Sequence, residues 1–490
     1  RLLAGGASAK TVTLAGVDAF IKSSSETSIE VRVTTSDDTN TGDVVITSVT
    51  GAVVTTKDAF TYVTASDITK VEPANGQVGT VVVITGSNLQ GDGSEVETVT
   101  LAGVEATIEE ESDTEITVIA AQSTNKTGDV VVTADTGAVA TEADAFTYEH
   151  EGNVTDVSPS SGQYGTVIAI TGTSLRGFGG EVTSVTLGDV AANITSENDT
   201  DVSIIAEEGP DDKTVVDVVL VADSGAIVTA EDRFTYLVPG DIKFVNPESG
   251  QVDTEVSITG ERLCGGGEKI VSVTLCGLAA TITNDNCNLV KVLAGDLGAK
   301  ITGDVILTSD TGAIVSSANA FEYVGEGNIT SVGPAAGQAG SLVTIQGESL
   351  FGGGGKAVSV TLAGVTAQII GSATNDTYLV VKANAGPLSL DKRVGSVVVT
   401  SDTRVDITKL NAWSYSVIET VAPAAGQGGT VVTISGASLT GDGEDVTKVT
   451  LAGVEADIVS FNDTVVIVEA AVLTNGEEQV GTVILELENG

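Results

Sequence analysis

The sequence predicts an all-β chain, a tandem array of about six small two-sheet sandwiches of which the first and the last are incomplete. Three observations predict it. The stretch VEPANGQVGTVVVITG at 71–86 returns four more times, around Pro159, Pro247, Pro334 and Pro423, with successive prolines 86, 88, 87 and 89 residues apart. Such a period is too long for a solenoid unit and suits a whole small β domain. Within the copies Val82/Ile84, Ile168/Ile170, Val256/Ile258, Val343/Ile345 and Val432/Ile434 hold one parity, with Val83, Ala169, Ser257, Thr344 and Thr433 between them. That period of two marks a strand with one buried face. Last, 58 Gly and 8 Pro punctuate many short strands, and 3% aromatics against 41% hydrophobics leave Val, Ile, Leu and Ala to build the cores.

Taken in order, the copies run over 1–65, 66–151, 152–239, 240–326, 327–416 and 417–490, repeats 1 to 6. In repeat 1 the stretch Leu3–Val17 matches Leu89–Val104, so the Pro-x-x-Gly-Gln strand pair is missing, and repeat 6 stops before a final strand. The incomplete ends lead to the expectation that the chain is a mature or internal piece, continued beyond this window or completed by another subunit. A complete copy opens with the strand pair and a Gly-rich loop. A Val-Thr-Leu strand follows, with small residues at its turn: Thr100-Leu101-Ala102-Gly103, Thr186-Leu187-Gly188-Asp189, Thr274-Leu275-Cys276-Gly277. Then come a polar turn, a strand such as Glu115–Ile119, and a hairpin that turns at Asp135-Thr136-Gly137 and ends at Phe146-Thr147-Tyr148. That last pair recurs as Phe60/Tyr62, Phe234/Tyr236, Phe321/Tyr323 and Trp413/Tyr415. About seven short strands with turn signals every 8–12 residues form the pattern of an Ig-like sandwich.

Together these motifs (Pro-x-x-Gly, a strand ending Ile-x-Gly, Val-x-x-Val-x-Leu with its small turn, Phe-x-Tyr) resemble the IPT/TIG family of Ig-like domains along essentially the whole chain. The resemblance implies that fold. For function it implies receptor ectodomains, adhesive or cell-surface repeat proteins, or dimerising modules of transcription factors, and rarely catalysis. The transcription-factor branch works beside basic DNA-contacting residues, and this chain departs from it with 67 acidic against 22 basic residues and a net charge of −45. Such a field repels nucleic acid and anionic membranes. No apolar run is long enough to span a membrane.

Candidate chemistry is sparse. Asp-Thr/Ser-Gly at Asp135, Asp223 and Asp310 is the loop of an aspartic protease, but it recurs once per repeat and becomes Val49-Thr50-Gly51, Asp402-Thr403-Arg404 and Glu488-Asn489-Gly490 elsewhere. A position that accepts Val, Asp and Glu reads as a hairpin turn. Gly352–Lys356 lacks the order of a phosphate loop and, like Gly91–Gly93, Gly177–Gly180, Gly265–Gly267 and Gly441–Gly443, reads as a flexible inter-strand loop. The acids beside these loops (Asp92, Glu95, Asp442, Glu444, Asp445) leave weak Ca²⁺ binding open without the alternating ligands of a dedicated site, so no cofactor is expected. His150, the only histidine, sits in a linker with no second His and no Cys nearby, so neither a His-based triad nor a zinc site is expected, and Trp413 fills a Phe position as core. Gln77, Gln163, Gln251, Gln338 and Gln427 each follow the turn Gly and read as buried amides bonding the backbone. Of the three cysteines, the Ig-like layout lets Cys264 and Cys287 meet, with Cys276 free or bridging to another chain; connectivity stays open.

Glycosylation sequons stand at Asn125, Asn153, Asn193, Asn198, Asn328, Asn375 and Asn462. Asn198, Asn375 and Asn462 share one inter-strand turn, and Asn153 and Asn328 share a linker, which suits a secreted chain with sugars at regular intervals. The expectation is an extracellular or cell-surface structural repeat protein that is not an enzyme. It self-associates head to tail into a filament, stalk or coat, carries covalent glycans, and engages neither nucleic acid nor the membrane interior. The other reading is an adhesin or receptor ectodomain that binds carbohydrate or protein through loops of repeats 4 and 5.

Overall fold

The computed structural model describes residues 2–3, 5–34, 39–371, 375–387, 393–441, 445–473 and 478–488. Repeat 2 shows how the unit is built. Its strands are β1 (Asp67–Glu72), β2 (Asn75–Gly76), β3 (Val81–Ser87), β4 (Val96–Leu101), β5 (Val104–Glu105), β6 (Thr107–Glu111), β7 (Glu115–Ile119), β8 (Lys126–Ala134) and β9 (Val139–Tyr148). One sheet has the order β6-β7-β3-β1 and the other β5-β4-β8-β9-β2. All neighbours are antiparallel except β2, which runs parallel to β9 with Thr147 opposite Asn75 and Tyr148 opposite Gly76.

The expected two-sheet sandwich is the one observed, and the alternation puts it together. Val82 and Ile84 of β3, with Ile116 and Val118 beside them on β7, face Val99 and Leu101 of β4 and Val130 and Val132 of β8 in the other sheet, with none more than 1% exposed. Each such side chain contributes about 1.5–3 kcal/mol by leaving water. Phe146 and Tyr148 close the core edge to face, with ring centroids 5.1 Å apart. Sequence reading missed β2, a two-residue strand whose ladder partner is the end of the repeat, with Asn75 opposite Thr147 and Gly76 opposite Tyr148. Two-residue strands carry no period to read.

The same order returns in repeat 4, with sheets Asp241–Asn246, Glu255–Glu261, Leu289–Leu293, Thr281–Asn286 and Ser249–Gly250, Ile314–Tyr323, Ile301–Ser309, Ile270–Leu275, Leu278–Ala279. Repeat 1 keeps one sheet, Ile29–Arg32, Val17–Ser24, Ala9–Leu14, Thr41–Ser48, Val53–Thr61. Trp413 is core of repeat 5, 1% exposed and edge to face with Tyr415. A bulge breaks each last hairpin: Asp58, Asp144, Asp232 and Asn319 sit at positive φ and donate their N–H to Asp43, Asp129, Asp217 and Asp304. Short polar side chains tolerate that backbone best.

Contacts divide the chain into two compact units. Arg1–Ser160, Ile168–Ile205 and Val215–Phe234 form one; Ser161–Val167, Ala206–Thr214 and Thr235–Gly490 form the other. The first holds the junction of repeats 2 and 3, the second those of repeats 3 and 4 and of repeats 4 and 5. Among the described residues no helix is long and apolar enough to cross a membrane.

Candidate functional site

The junctions between repeats are where the recurring polar residues converge. In the first unit the turn after Pro73 is set by Thr80, whose Oγ1 accepts the Gln77 N–H at 3.0 Å, and by Gly79 at φ +85. This aims the Gln77 side chain, 1% exposed, at repeat 3. Its Nε2 donates to the Ile227 carbonyl at 2.7 Å and its Oε1 accepts the Gly152 N–H at 2.7 Å. Beside it the Val81 N–H donates to the Ser224 carbonyl (2.8 Å) and the Ile227 N–H to the Val78 carbonyl (3.0 Å). Two glycines make the approach possible: a Cβ on Gly79 would lie 2.6 Å from the Gly225 oxygen, and one on Gly225 2.7 Å from the Gly79 oxygen. The hairpin turn of one repeat is thus clasped by the Gln turn of the repeat before it.

The second unit makes the same clasp between repeats 3 and 4. Gln163 donates to Ile314 (2.8 Å) and accepts from Gly240 (2.7 Å), while Val167 donates to Thr311 and Ile314 to Tyr164, both at 2.9 Å. Between repeats 4 and 5 Gln251 still accepts from Gly327 at 2.7 Å and Ser249 Oγ donates to the Gly353 carbonyl at 3.0 Å, but the contact of the two turns is rebuilt in charge. Asp253 stands where the others have Gly79 and Gly165, Glu255 where they have Val81 and Val167, Arg404 for Gly225 and Gly312, and Asp406 for Ile227 and Ile314. Arg404 Nη1 lies 3.0 Å from Glu255 Oε2 and replaces the pair of backbone bonds. Asp253 and Arg404 keep the glycines' positive φ, at 65° and 68°.

The reading of all five glutamines as buried amides needs correction. Gln77, Gln163 and Gln251 are buried against the next repeat, whereas Gln338 and Gln427 are exposed, because no described turn of a following repeat lies over them. A buried amide with both ends satisfied is costly to remove. Gln163→Ala leaves the Gly240 N–H and the Ile314 carbonyl without partners, for about 1–3 kcal/mol each. Hydrogen exchange should then quicken at Gly240 by at least about tenfold while Gly152, held by Gln77, stays protected; equal protection at Gly240 in parent and variant would remove the clasp.

The Asp-Thr/Ser-Gly motif is a turn, with Gly137, Gly225 and Gly312 at positive φ. It also has a task that sequence reading missed. Asp135 accepts the Ser94 hydroxyl at 2.7 Å and its N–H at 3.2 Å, Asp223 the Gly180 N–H at 2.8 Å, Asp310 the Glu268 N–H at 3.0 Å and Asp402 the Gly355 N–H at 3.0 Å. The Ser94 hydroxyl and N–H hold the Asp135 carboxyl below its ordinary value. The Gly-rich loops are therefore tied down by carboxylates rather than slack, and each Asp serves its own repeat instead of meeting a second Asp. The signal was present as the joint occurrence of Asp and Gly-rich loop in repeats 2 to 5.

Cys264 and Cys287 are joined as a disulfide with Cα atoms 5.1 Å apart, and Cys276 is free with its Sγ 3.2 Å from the Phe321 carbonyl. All seven sequon asparagines are exposed. Asn198, Asn375 and Asn462 accept the N–H and hydroxyl of Thr200, Thr377 and Thr464 through Oδ1, and Ser25 and Ser112 form the corresponding turns in repeats 1 and 2. His150 is exposed in its linker. Among the described residues no three His, Cys, Asp or Glu side chains converge to hold a metal. Asp442 and Glu444 lie outside the described residues.

Compared with known families, residues 66–148, 153–236, 328–412 and 416–485 match the model of the IPT/TIG domain. Repeat 4 lies between matched stretches and has their strand order. A comparison with curated protein sequences finds no match. Among solved structures the chain is similar to the plexin A4 full extracellular region (12% identity, TM-score 0.29, covering 86% of this chain and 43% of that one). It is also similar to the N-terminal eight Ig domains of Down syndrome cell adhesion molecule (11%, 0.19, 98% and 70%) and to a Bacteroides ovatus mixed-linkage glucan utilization locus SGBP-B (15%, 0.17, 52% and 65%). The chain spans less than half of that plexin structure.

Proposed function

The chain belongs to the IPT/TIG domain family, and from that premise we propose that it is an extracellular structural repeat protein, a glycosylated stalk, coat or filament component that self-associates. The observation that carries this reading is the clasp. A chain that spends its recurring buried amides and glycines on docking one repeat to the next, twice in the same geometry, is built to hold domains in place. Seven exposed sequons and a net charge of −45 support a sugar-covered, solvated surface. The test is electron microscopy of the protein isolated undenatured from its native source, with peptide mass mapping before and after deglycosylation. Uniform fibres with added mass at the sequon peptides are expected. Dispersed chains with unmodified asparagines would overturn the reading.

One observation favours the adhesin or receptor reading instead. Repeat 4 exposes Phe244, 72% accessible, beside a groove of about 460 Å³ lined by Glu248, Ser317 and Asn319. The other repeats carry Lys70, Asp156, Ser331 and Thr420 in that place. A free aromatic face next to polar groups suits a sugar ring. On that reading a glycan array binds the parent chain and loses its signal with Phe244→Ala; an unchanged or blank array would sink it.

A further inference from the structure

We propose that the hairpin turn Thr50-Gly51-Ala52-Val53 of repeat 1 docks into the Gln427–Val431 turn of repeat 6 on a second copy of this chain, by the clasp that the chain already makes twice within itself. The inference rests on the self-associating structural array and names the surface through which copies join.

The receiving turn of repeat 6 copies those of repeats 2 and 3 bond for bond. Gln427 N–H donates to Thr430 Oγ1 at 3.0 Å, against 3.0 and 3.1 Å at Gln77 and Gln163. Gly429 holds φ +85, against +85 and +83 at Gly79 and Gly165, and its N–H donates to Ala470 at 2.8 Å as theirs do to Ala120 and Ala206 at 2.9 Å. What differs is the cover. Gln77 and Gln163 are buried under the next repeat, whereas Gln427 is exposed and, among the described residues, a Cβ on Gly429 would touch only the end of Glu469.

The inserting turn is equally faithful. Gly51 stands at φ +88, beside +81 and +85 at Gly225 and Gly312. The Ser48 N–H bonds the Ala52 carbonyl at 2.9 Å, as Ala222 bonds Ala226 and Ser309 bonds Ala313. A Cβ on Gly51 would meet nothing within 4 Å, so this turn is open where the other two are packed. By superposition of roles, Val431 N–H donates to the Thr50 carbonyl, Val53 N–H to the Gly428 carbonyl, and Gln427 Nε2 to the Val53 carbonyl. The receiving turn of repeat 5 is a looser version. Gly340 has drifted to φ +101 with Leu342 beyond it, and the turn at Gly137, at φ +80, is the competing insert that the test separates from Gly51.

A contact of three hydrogen bonds and two small apolar residues belongs to the weak, transient class of interfaces. Two surfaces of the same acidic chain also repel, so salt should favour the joint by screening charges beyond about 8 Å at physiological strength. The junction of repeats 4 and 5 supplies the design of a test, since there the same positions carry Glu255 and Arg404 and still meet. Arg404 at φ 68° shows that the turn accepts arginine in place of glycine.

Sedimentation velocity and negative-stain microscopy of the full chain over a concentration and salt series provide the test. The parent is expected to associate end to end, more so as salt rises. Val431→Glu alone and Gly51→Arg alone each lower the associated fraction at least about tenfold at unchanged melting temperature, while Gly137→Arg leaves it as it was. The double variant V431E/G51R regains association, now weakened by salt because the introduced charges attract. Association indifferent to both single variants, or a double variant as dispersed as the singles, overturns the clasp and leaves the structural array standing. A parent chain that stays monomeric throughout removes self-association and the clasp with it.

Discussion

Trp413→Ala is expected to unfold repeat 5 at a denaturant concentration where repeats 2 to 4 remain folded, for a loss of about 3–5 kcal/mol. Trp413 is 1% exposed, packs edge to face on Tyr415 at 5.6 Å, and its ring tip closes on Gly337 of the short parallel strand. Truncation to Cβ opens a cavity among Val343, Leu379 and Val397, which the rigid ladders around it cannot fill. A domain of this size commonly has only about 5–15 kcal/mol in total, so the loss is a large share of it. Trp413→Phe should recover most of the stability, because Phe146, Phe234 and Phe321 hold this place in other repeats. Hydrogen exchange resolved by repeat, over a denaturant series, reads the outcome. Peptides of repeat 5 that open together with the rest in both parent and variant would show that Trp413 does not carry its core.

Loss of the Cys264–Cys287 disulfide should destabilise repeat 4 by about 3 kcal/mol, the loop-closure value for a separation of 23 residues. The other repeats show what the bond replaces. At the same two positions the N–H of Gln90, Arg176 and Phe351 donates to the carboxylate of Asp113, Asp199 and Asp376, at 3.2, 3.1 and 2.7 Å. A hydrogen bond to a charged group contributes about 1.5–3 kcal/mol when sheltered and less in water, where the first two lie. The expected order of thermal stability for repeat 4 is therefore the oxidised parent first, then C264Q/C287D, then C264S/C287S. A serine pair as stable as the parent would refute the role of the cross-link. A C264Q/C287D chain no better than the serine pair would refute the equivalence of bond and carboxylate. Reduction of the parent should lower repeat 4 alone, since the remaining repeats hold no cysteine.

How much was legible follows from which interactions are local. The strands were legible because burial alternates with the chain itself: Val82, Ile84 and their counterparts are inside, and Val83 and its counterparts are not. The turn at Asp-Thr/Ser-Gly was legible for the same reason, since a turn is a property of four adjacent residues. The sequence by itself determined the strand pattern, the repeat length and the Trp or Phe beside Tyr at each sandwich's end. The sequence also marked Gln77, Gln163, Gln251, Gln338 and Gln427 alike as constrained, without saying by what. Only the tertiary structure decided that Gln77 grips Ile227 at 150 residues' distance, that Asp223 holds Gly180 across 43, and that Gln338 and Gln427, in the same Pro-x-x-Gly-Gln motif, stand exposed. The physical reason is that a hydrogen bond needs its partner within about 3 Å, and folding alone chooses which distant segment comes that close.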